Sequence, residues 1–273
     1  MRWIRNVPIY AVLLAGALLT LAPFALSVIT AFKTPGQFAS ENALAWPDPF
    51  TLENFTMLLT GRAEFGRAIL VTLLAAILLV AAQLTFSIMA AYAFARLEFP
   101  GRDLLFWVYL STLMIPSIVV VVPLYLMMAQ LGLRNTFWGL VLPFAFASPY
   151  AVFLLREYFR GIPQDLVDAA RLDGANTLDV LVEIVVPLSR PIIATLTLIT
   201  AVSQWNSFLW PRVITSDNTW RPVTVATASL QSQYNGNWTL VMAATTLALV
   251  PLLALFLVFQ RQIVRSIAIT RFR

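Results

Sequence analysis

The sequence predicts an all-α polytopic membrane protein, with six transmembrane helices in one domain (residues 1–273) and a helix-turn-helix loop on the cytoplasmic side. Three observations predict it. Hydrophobic residues make up 60% of the 273 residues and charged residues only 11%, with a mean hydropathy of +0.81. Soluble domains carry about 45–50% apolar and about 25% charged residues, so this chain lacks the polar surface to cover a globule in water. Long charge-free runs recur along it. One long polar segment, 156–190, interrupts them and carries helix signals of its own.

A charged side chain costs about 2.5–3.5 kcal/mol at the centre of a spanning helix, and about 20 apolar residues cross the hydrocarbon. The charge-free runs place the spans at about 7–32, 68–95, 104–129, 136–155, 191–211 and 239–259. The first run is too long for the apolar core of a signal peptide, about 7–15 residues, and no small-residue cleavage site follows before Lys33. It is expected to remain as the first helix. Pro116, Pro123, Pro143 and Pro149 are expected to bend the third and fourth spans.

Six spans put both termini on one side. With the N-terminus inside, the inner segments hold Arg2, Arg5, Arg96, Arg102, Arg156, Arg160, Arg171, Arg190, Arg261, Arg265, Arg271 and Arg273. The outer ones hold Lys33, Arg62, Arg67, Arg134, Arg212 and Arg221. This twofold excess predicts cytoplasmic termini in the cell membrane. The net charge of +5 then reports orientation in a lipid bilayer, not a nucleic-acid partner. The first outer loop, 33–67, contains Pro35, Pro47 and Pro49 and reads as irregular, while the last, 212–238, is polar and aromatic.

The chain has no Cys and no His. That excludes disulfides, zinc sites, thiol nucleophiles and histidine mechanisms. None of the six runs holds an ionisable carboxylate, so no catalytic residue and no metal site is expected. A membrane enzyme lacks its acid–base inventory. An ion-coupled secondary transporter of a neutral solute, the alternative reading, lacks the intramembrane charges such carriers use.

Segment 156–190 holds six of the thirteen acidic residues: Glu157, Asp165, Asp168, Asp173, Asp179 and Glu183. Pro163 stands where a helix starts, with Asp165 in its first turn. Gly174 stands where a left-handed residue ends it. Asn176 or Thr177 then caps a second helix running toward Pro187. Two readings of this hairpin stay open: a solvated loop in which Asp168 and Arg171 pair across one turn, or a docking surface. Ala169, Ala170, Gly174 and Ala175 leave little bulk there.

Asp168-Ala169-Ala170-Arg171-Leu172-Asp173-Gly174-Ala175, followed by Ile184-Val185-Val186-Pro187, resembles the EAA loop of ABC importer permeases. Two positions depart from the family pattern: Asp168 replaces glutamate and Val186 replaces leucine. The segments Ala91–Arg102, Pro123–Tyr125, Leu131–Thr136 and Trp205–Pro211 are similar to the shorter permease of the carbohydrate-uptake, maltose- and glycerol-phosphate-type branch. The tail from Arg265 to Arg273 departs from the family's usual glycine-rich ending. The resemblance implies a permease subunit that passes a sugar or polyol by alternating access. It implies a second permease subunit, a dimer of ATPase subunits using ATP and Mg, and an extracytoplasmic solute-binding protein. This chain holds no phosphate-binding G-x-x-x-x-G-K-[ST] loop, so no cofactor is expected on it. Coupling to the ATPase falls to Asp168, Ala169, Ala170, Leu172, Asp173, Gly174, Ala175, Ile184 and Pro187.

Thr197, Thr200, Gln204 and Ser207 form a polar stripe on the fifth span at helical spacing, with Asn206 beside it in the Trp205–Pro211 segment. The stripe lines a path for an uncharged polyol, or it hydrogen-bonds to neighbouring helices at about 0.6 kcal/mol per contact. Gln83, Ser87, Ala91 and Ala95, four residues apart on the second span, read as a packing seam. Trp205 and Trp210 are placed either to stack on a sugar or to anchor at the membrane interface.

Overall fold

The computed structural model describes residues 2–61, 64–233 and 237–269. Among them there is no β-strand. In chain order the α-helices are α1 (Arg2–Ala31), α2 (Pro35–Ser40), α3 (Glu53–Thr60), α4 (Phe65–Arg96), α5 (Arg102–Ser111), α6 (Ser117–Gln130), α7 (Phe137–Val141), α8 (Pro149–Arg160), α9 (Gln164–Leu172), α10 (Thr177–Asp179), α11 (Val186–Leu188), α12 (Arg190–Trp205), α13 (Leu209–Ile214), α14 (Val223–Gln233) and α15 (Trp238–Ile269). Short 3₁₀ turns extend α5 over Thr112–Met114 and α7 over Leu142–Phe144, and a π-helical turn, Val180–Val185, joins α10 to α11.

Four helices are long and apolar enough to cross a membrane: Pro8–Ala31, Phe65–Arg96, Arg190–Ile214 and Trp238–Gln260. Two further pairs qualify as broken spans, Arg102–Met114 with Ser117–Gln130 at 99° and Phe137–Phe144 with Pro149–Arg160 at 40°. Counting each broken pair as one span gives the expected six, with the third and fourth interrupted rather than gently bent. Pro116 stands at the sharper break and Pro149 starts α8. Pro123 lies inside α6, which runs through it unbroken.

The chain divides into two compact units. In residues 1–69 with 222–251, α1 presents Leu13, Leu19 and Leu21 outward, as a lipid-facing helix should. The 33–67 loop is irregular only in part: α2 and α3 form within it, while residues 41–52, with Pro47 and Pro49, have no regular structure. Thr34 Oγ1 caps α2 by accepting from the Gln37 N–H, and Pro35 takes the first turn, where its missing N–H is harmless. Asn54 of α3 donates to the carbonyls of Ala31 and Lys33, both at 2.9 Å, and its own carbonyl accepts from Thr239 at 3.0 Å. Lys33 is fully buried and donates to the carbonyls of Asn42 and Ala43. Its charge thus serves as a loop clasp rather than an exposed topogenic residue. The 212–238 loop likewise contains a helix, α14.

In residues 70–221 with 252–273, α4 packs through Leu84, Ala91, Tyr92 and Phe94 against Phe106, Val152, Leu155, Phe159 and the buried residues of segment 156–190. The break between α7 and α8 frees backbone groups that lipid cannot satisfy. Gln83 donates to the Phe144 carbonyl at 2.7 Å, Tyr109 to the Ala147 carbonyl at 2.6 Å, and Ser87 Oγ accepts from the Ser148 N–H at 2.9 Å. The seam on α4 is therefore a packing seam that also repairs a broken neighbour.

Candidate functional site

Segment 156–190 folds as helix, turn, helix. Helix α9 ends in a Schellman motif. The Gly174 N–H donates to the Arg171 carbonyl at 3.1 Å and the Ala175 N–H to the Ala170 carbonyl at 2.9 Å. Gly174 sits at φ 92°, where a side chain on an L-residue strains the backbone. Asn176 then opens the second helix with a capping box. Its side chain accepts from the N–H groups of Leu178 and Asp179, and Asp179 Oδ2 accepts from the Asn176 N–H. Of the two caps the sequence left open, Asn176 is the one used. The second helix reaches Leu188 through the π turn, a geometry that recurs at functional positions.

Burial sorts the loop into two sides. Ile162, Val167, Val180, Leu181 and Val185 are buried in the core of the second unit. Asp168, Ala169, Leu172, Asp173 and Gly174 are exposed, Ala170 and Ala175 are half-buried against the core, and Ile184 and Pro187 are half-buried farther along the second helix. Leu172 is 89% exposed, and Leu178 and Val182 are exposed beside it in sequence. A Cβ built on Gly174 meets no atom within 4 Å, so the turn faces open space. Asp168 does not pair with Arg171 among the described residues: Oδ1 accepts from Gln164 Nε2 at 2.9 Å. Gln164 is in turn held by Arg96 at the end of α4, a partner that the sequence reading missed.

The stripe on α12 is only partly brought to a site. Gln204 and Ser207 line a cavity of about 530 Å³, together with Ser117 of α6, Ser203, Phe144 and Trp210. Thr197 and Thr200 lie outside this lining. Thr197 donates to the Ile193 carbonyl of its own helix at 2.8 Å. Asn206 also lies outside, its amide folded back on the Val202 carbonyl at 2.9 Å as α12 ends. Ser117 and Ser203 are the polar lining residues that the reading missed. Ser117 is marked by its position just after Pro116, and Ser203 stands one turn before Ser207. Trp205 and Trp210 are buried at 5% and 6% exposure, so neither is an interface anchor. Trp210 donates from Nε1 to the Gly139 carbonyl at 3.0 Å and meets Phe144 edge-on, which leaves its ring fixed in the cavity wall. Among the described residues, no charged side chain lines the cavity.

On the loop between α6 and α7, Asn135 holds the chain at φ 54° and faces the residues that follow α13. Its side chain accepts from the Ser216 N–H and donates to Asp217 Oδ2 at 2.6 Å. That bond from Asn135, with the Thr219 N–H, holds the Asp217 carboxyl below its ordinary value. Burial and the nearby Arg212 lower Arg221. Among the described residues, no group of three or more acidic side chains is placed to hold a metal ion.

Residues 83–269 match the family model described as binding-protein-dependent transport system inner membrane component. The chain is 34% identical to the arabinooligosaccharides transport system permease protein AraQ of Halalkalibacterium halodurans, over 82% of this chain and 80% of that one. It is 31% identical to the diacetylchitobiose uptake system permease protein NgcG of Streptomyces coelicolor, over 97% and 88%. It is 33% identical to the sn-glycerol-3-phosphate transport system permease protein UgpE of Yersinia pestis, over 94% of both. Its fold matches a chain of a bacterial ABC transporter involved in the import of the acidic polysaccharide alginate, with TM-score 0.82, 24% identity and coverage of 96% and 98%. A second match, at TM-score 0.64 and 18% identity over 95% and 96%, is to the alginate ABC transporter in complex with an alginate pentasaccharide-bound periplasmic protein. A family match across most of the chain, relatives above 30% identity and four to six candidate spans converge: this chain belongs to the binding-protein-dependent transport system inner membrane components, the membrane-spanning permease subunits of ABC importers.

Proposed function

We propose that this chain passes a neutral saccharide through the cell membrane by alternating access, and that its 156–190 segment takes the force of a separate ATPase. The reading joins one permease domain to a second permease, to an ATPase dimer that uses ATP and Mg, and to an extracytoplasmic binding protein, with both termini and the loop in the cytoplasm. The observation that carries it is the division of the loop: an apolar root packed into the helical core, and a Schellman turn with Leu172 and Gly174 held outward against nothing. An exposed leucine on a capped, rigid turn supports a docking role better than a solvated hairpin, which gains nothing from presenting it. Closure of the ATPase dimer pushes the turn, and the packed root carries the displacement into the spans as a rigid-body rotation.

The cavity chemistry supports the substrate class. Gln204 and three serines offer hydrogen bonds beside aromatic rings, and no charge answers a phosphate or a uronate. The test is uptake in proteoliposomes containing the whole complex, with neutral oligosaccharides set against sn-glycerol-3-phosphate and alginate oligomers. Uptake of the neutral sugars alone is expected, and preferred uptake of an anionic substrate overturns the assignment.

A further inference from the structure

Two arginines outside the loop's own motif tie the loop to other spans. Arg96 is the last residue of α4. Its Nη1 donates to Gln164 Oε1 of α9 at 2.5 Å, and its Nη2 donates to the Phe159 carbonyl at 2.5 Å and to the Ile162 carbonyl. Phe159 and Ile162 mark the end of α8, where unsatisfied carbonyls and the negative pole of the helix favour a cation. The planar guanidinium presents its donors in a fixed fork that holds these acceptors in one geometry, whereas an ammonium carries three rotatable donors on a flexible stem. Gln164 passes the contact on to Asp168.

Arg156 of α8 runs the other way. Its Nε donates to the Phe94 carbonyl near the end of α4 at 3.3 Å. Its guanidinium lies 4.1 Å over the Phe106 ring of α5 and 3.6 Å from Asp103, and it also meets Glu157 at 2.8 Å. Its side chain is only 11% exposed. Solvent therefore screens its contacts with the Phe94 carbonyl and the Phe106 ring less than the ion pairs, whose acidic partners are 65% and 47% exposed.

From this crossing we infer that Arg96 and Arg156 are positioning residues for coupling: they lock the loop to the ends of the second and third spans, so that a push on the loop moves spans two, three and four as one body. The inference rests on the coupling role proposed for the loop. Without the clamp, the loop bends on its own hinge and the nucleotide cycle runs without moving the bundle. The loss then appears as slippage and not as failed assembly.

The test uses the complete importer in proteoliposomes. Arg96→Met, Arg96→Lys and Arg156→Met are compared with the native complex for assembly, ATP hydrolysis stimulated by the binding protein, and substrate taken up per ATP. With charge-assisted bonds lost, Arg96→Met is expected to lower uptake per ATP about tenfold while hydrolysis persists. Arg96→Lys, which keeps the charge but not the fork, recovers part of the loss. Unchanged uptake per ATP in Arg96→Met and Arg156→Met overturns the inference. Gly174→Glu separates this outcome from the reading beneath it. If Gly174→Glu uncouples and the arginine variants do not, the clamp is wrong and the docking turn stands; if none uncouples, the docking turn falls as well. Should Arg96→Met fail to assemble, spin labels decide. The chain has no native cysteine, so Glu98→Cys and Asp165→Cys, both at exposed positions, can be labelled on the otherwise native chain. The clamp requires the same separation in nucleotide-free and ATP-trapped states. A state-dependent change of several ångströms refutes it.

Discussion

Gly174 lets backbone strain be separated from partner contact, because the permease itself leaves space around it. At φ 92°, a residue with a Cβ costs about 1–2 kcal/mol, while asparagine tolerates the left-handed region better than others. A built Cβ meets no atom within 4 Å, so side-chain size adds no clash inside this chain. Three substitutions then sort the causes. Gly174→Ala carries strain with a minimal side chain. Gly174→Asn carries less strain with a larger one. Gly174→Glu carries strain, bulk and charge. If strain alone mattered, the alanine variant would suffer more than the asparagine variant, by up to about tenfold in the population of the native turn for each 1.4 kcal/mol. If the turn seats in a close pocket of the ATPase, the order reverses: asparagine is worse than alanine, and glutamate abolishes uptake while the permease still folds. The assay is sugar uptake and ATP hydrolysis in the reconstituted complex, with recovery of the ATPase on purification as the docking readout. Native uptake by the Gly174→Glu complex refutes the reasoning.

The same structure fixes other outcomes. Gln204→Leu should change substrate affinity or rate in uptake assays, whereas Thr200→Leu, which lies outside the cavity lining, should leave both within twofold of native, a margin of about 0.4 kcal/mol. Gln83→Leu removes the donor to the Phe144 carbonyl and should destabilise the purified permease by about 1–3 kcal/mol, read as a lower Tm; an unchanged Tm would show that the broken fourth span needs no such repair. Gly139→Ala places a Cβ 2.2 Å from the Leu133 carbonyl oxygen, and this overpacking should cost about 1–3 kcal/mol, again visible in thermal unfolding.

Much of this architecture is legible in the residues, because lipid enforces a simple rule: runs without charge become spans. The Gly174 turn and the Asn176 cap are legible for a similar reason, since each depends on a few consecutive residues with special backbone chemistry. The short helices α2, α3 and α14 are not, because short helices packed over other elements carry little periodicity of their own. Lys33 reads as an exposed charge, but burial against two carbonyls depends on how 42–43 folds back. On α12, helical spacing puts Thr197, Thr200 and Gln204 on one face, but the helix ends at Trp205 before Ser207, and packing by α6 decides which of these residues meets a cavity. Arg96 acts on backbone carbonyls more than sixty residues away, and a carbonyl leaves no mark in a sequence.

The most direct test is contact at the loop itself. Leu172→Cys puts the chain's single thiol at a loop position that is 89% exposed. In native membranes the account predicts cross-linking to the ATPase subunit, with labelling by a membrane-impermeant thiol reagent only from the cytoplasmic side. Labelling from the external side, or no cross-link to the ATPase in the assembled importer, contradicts it.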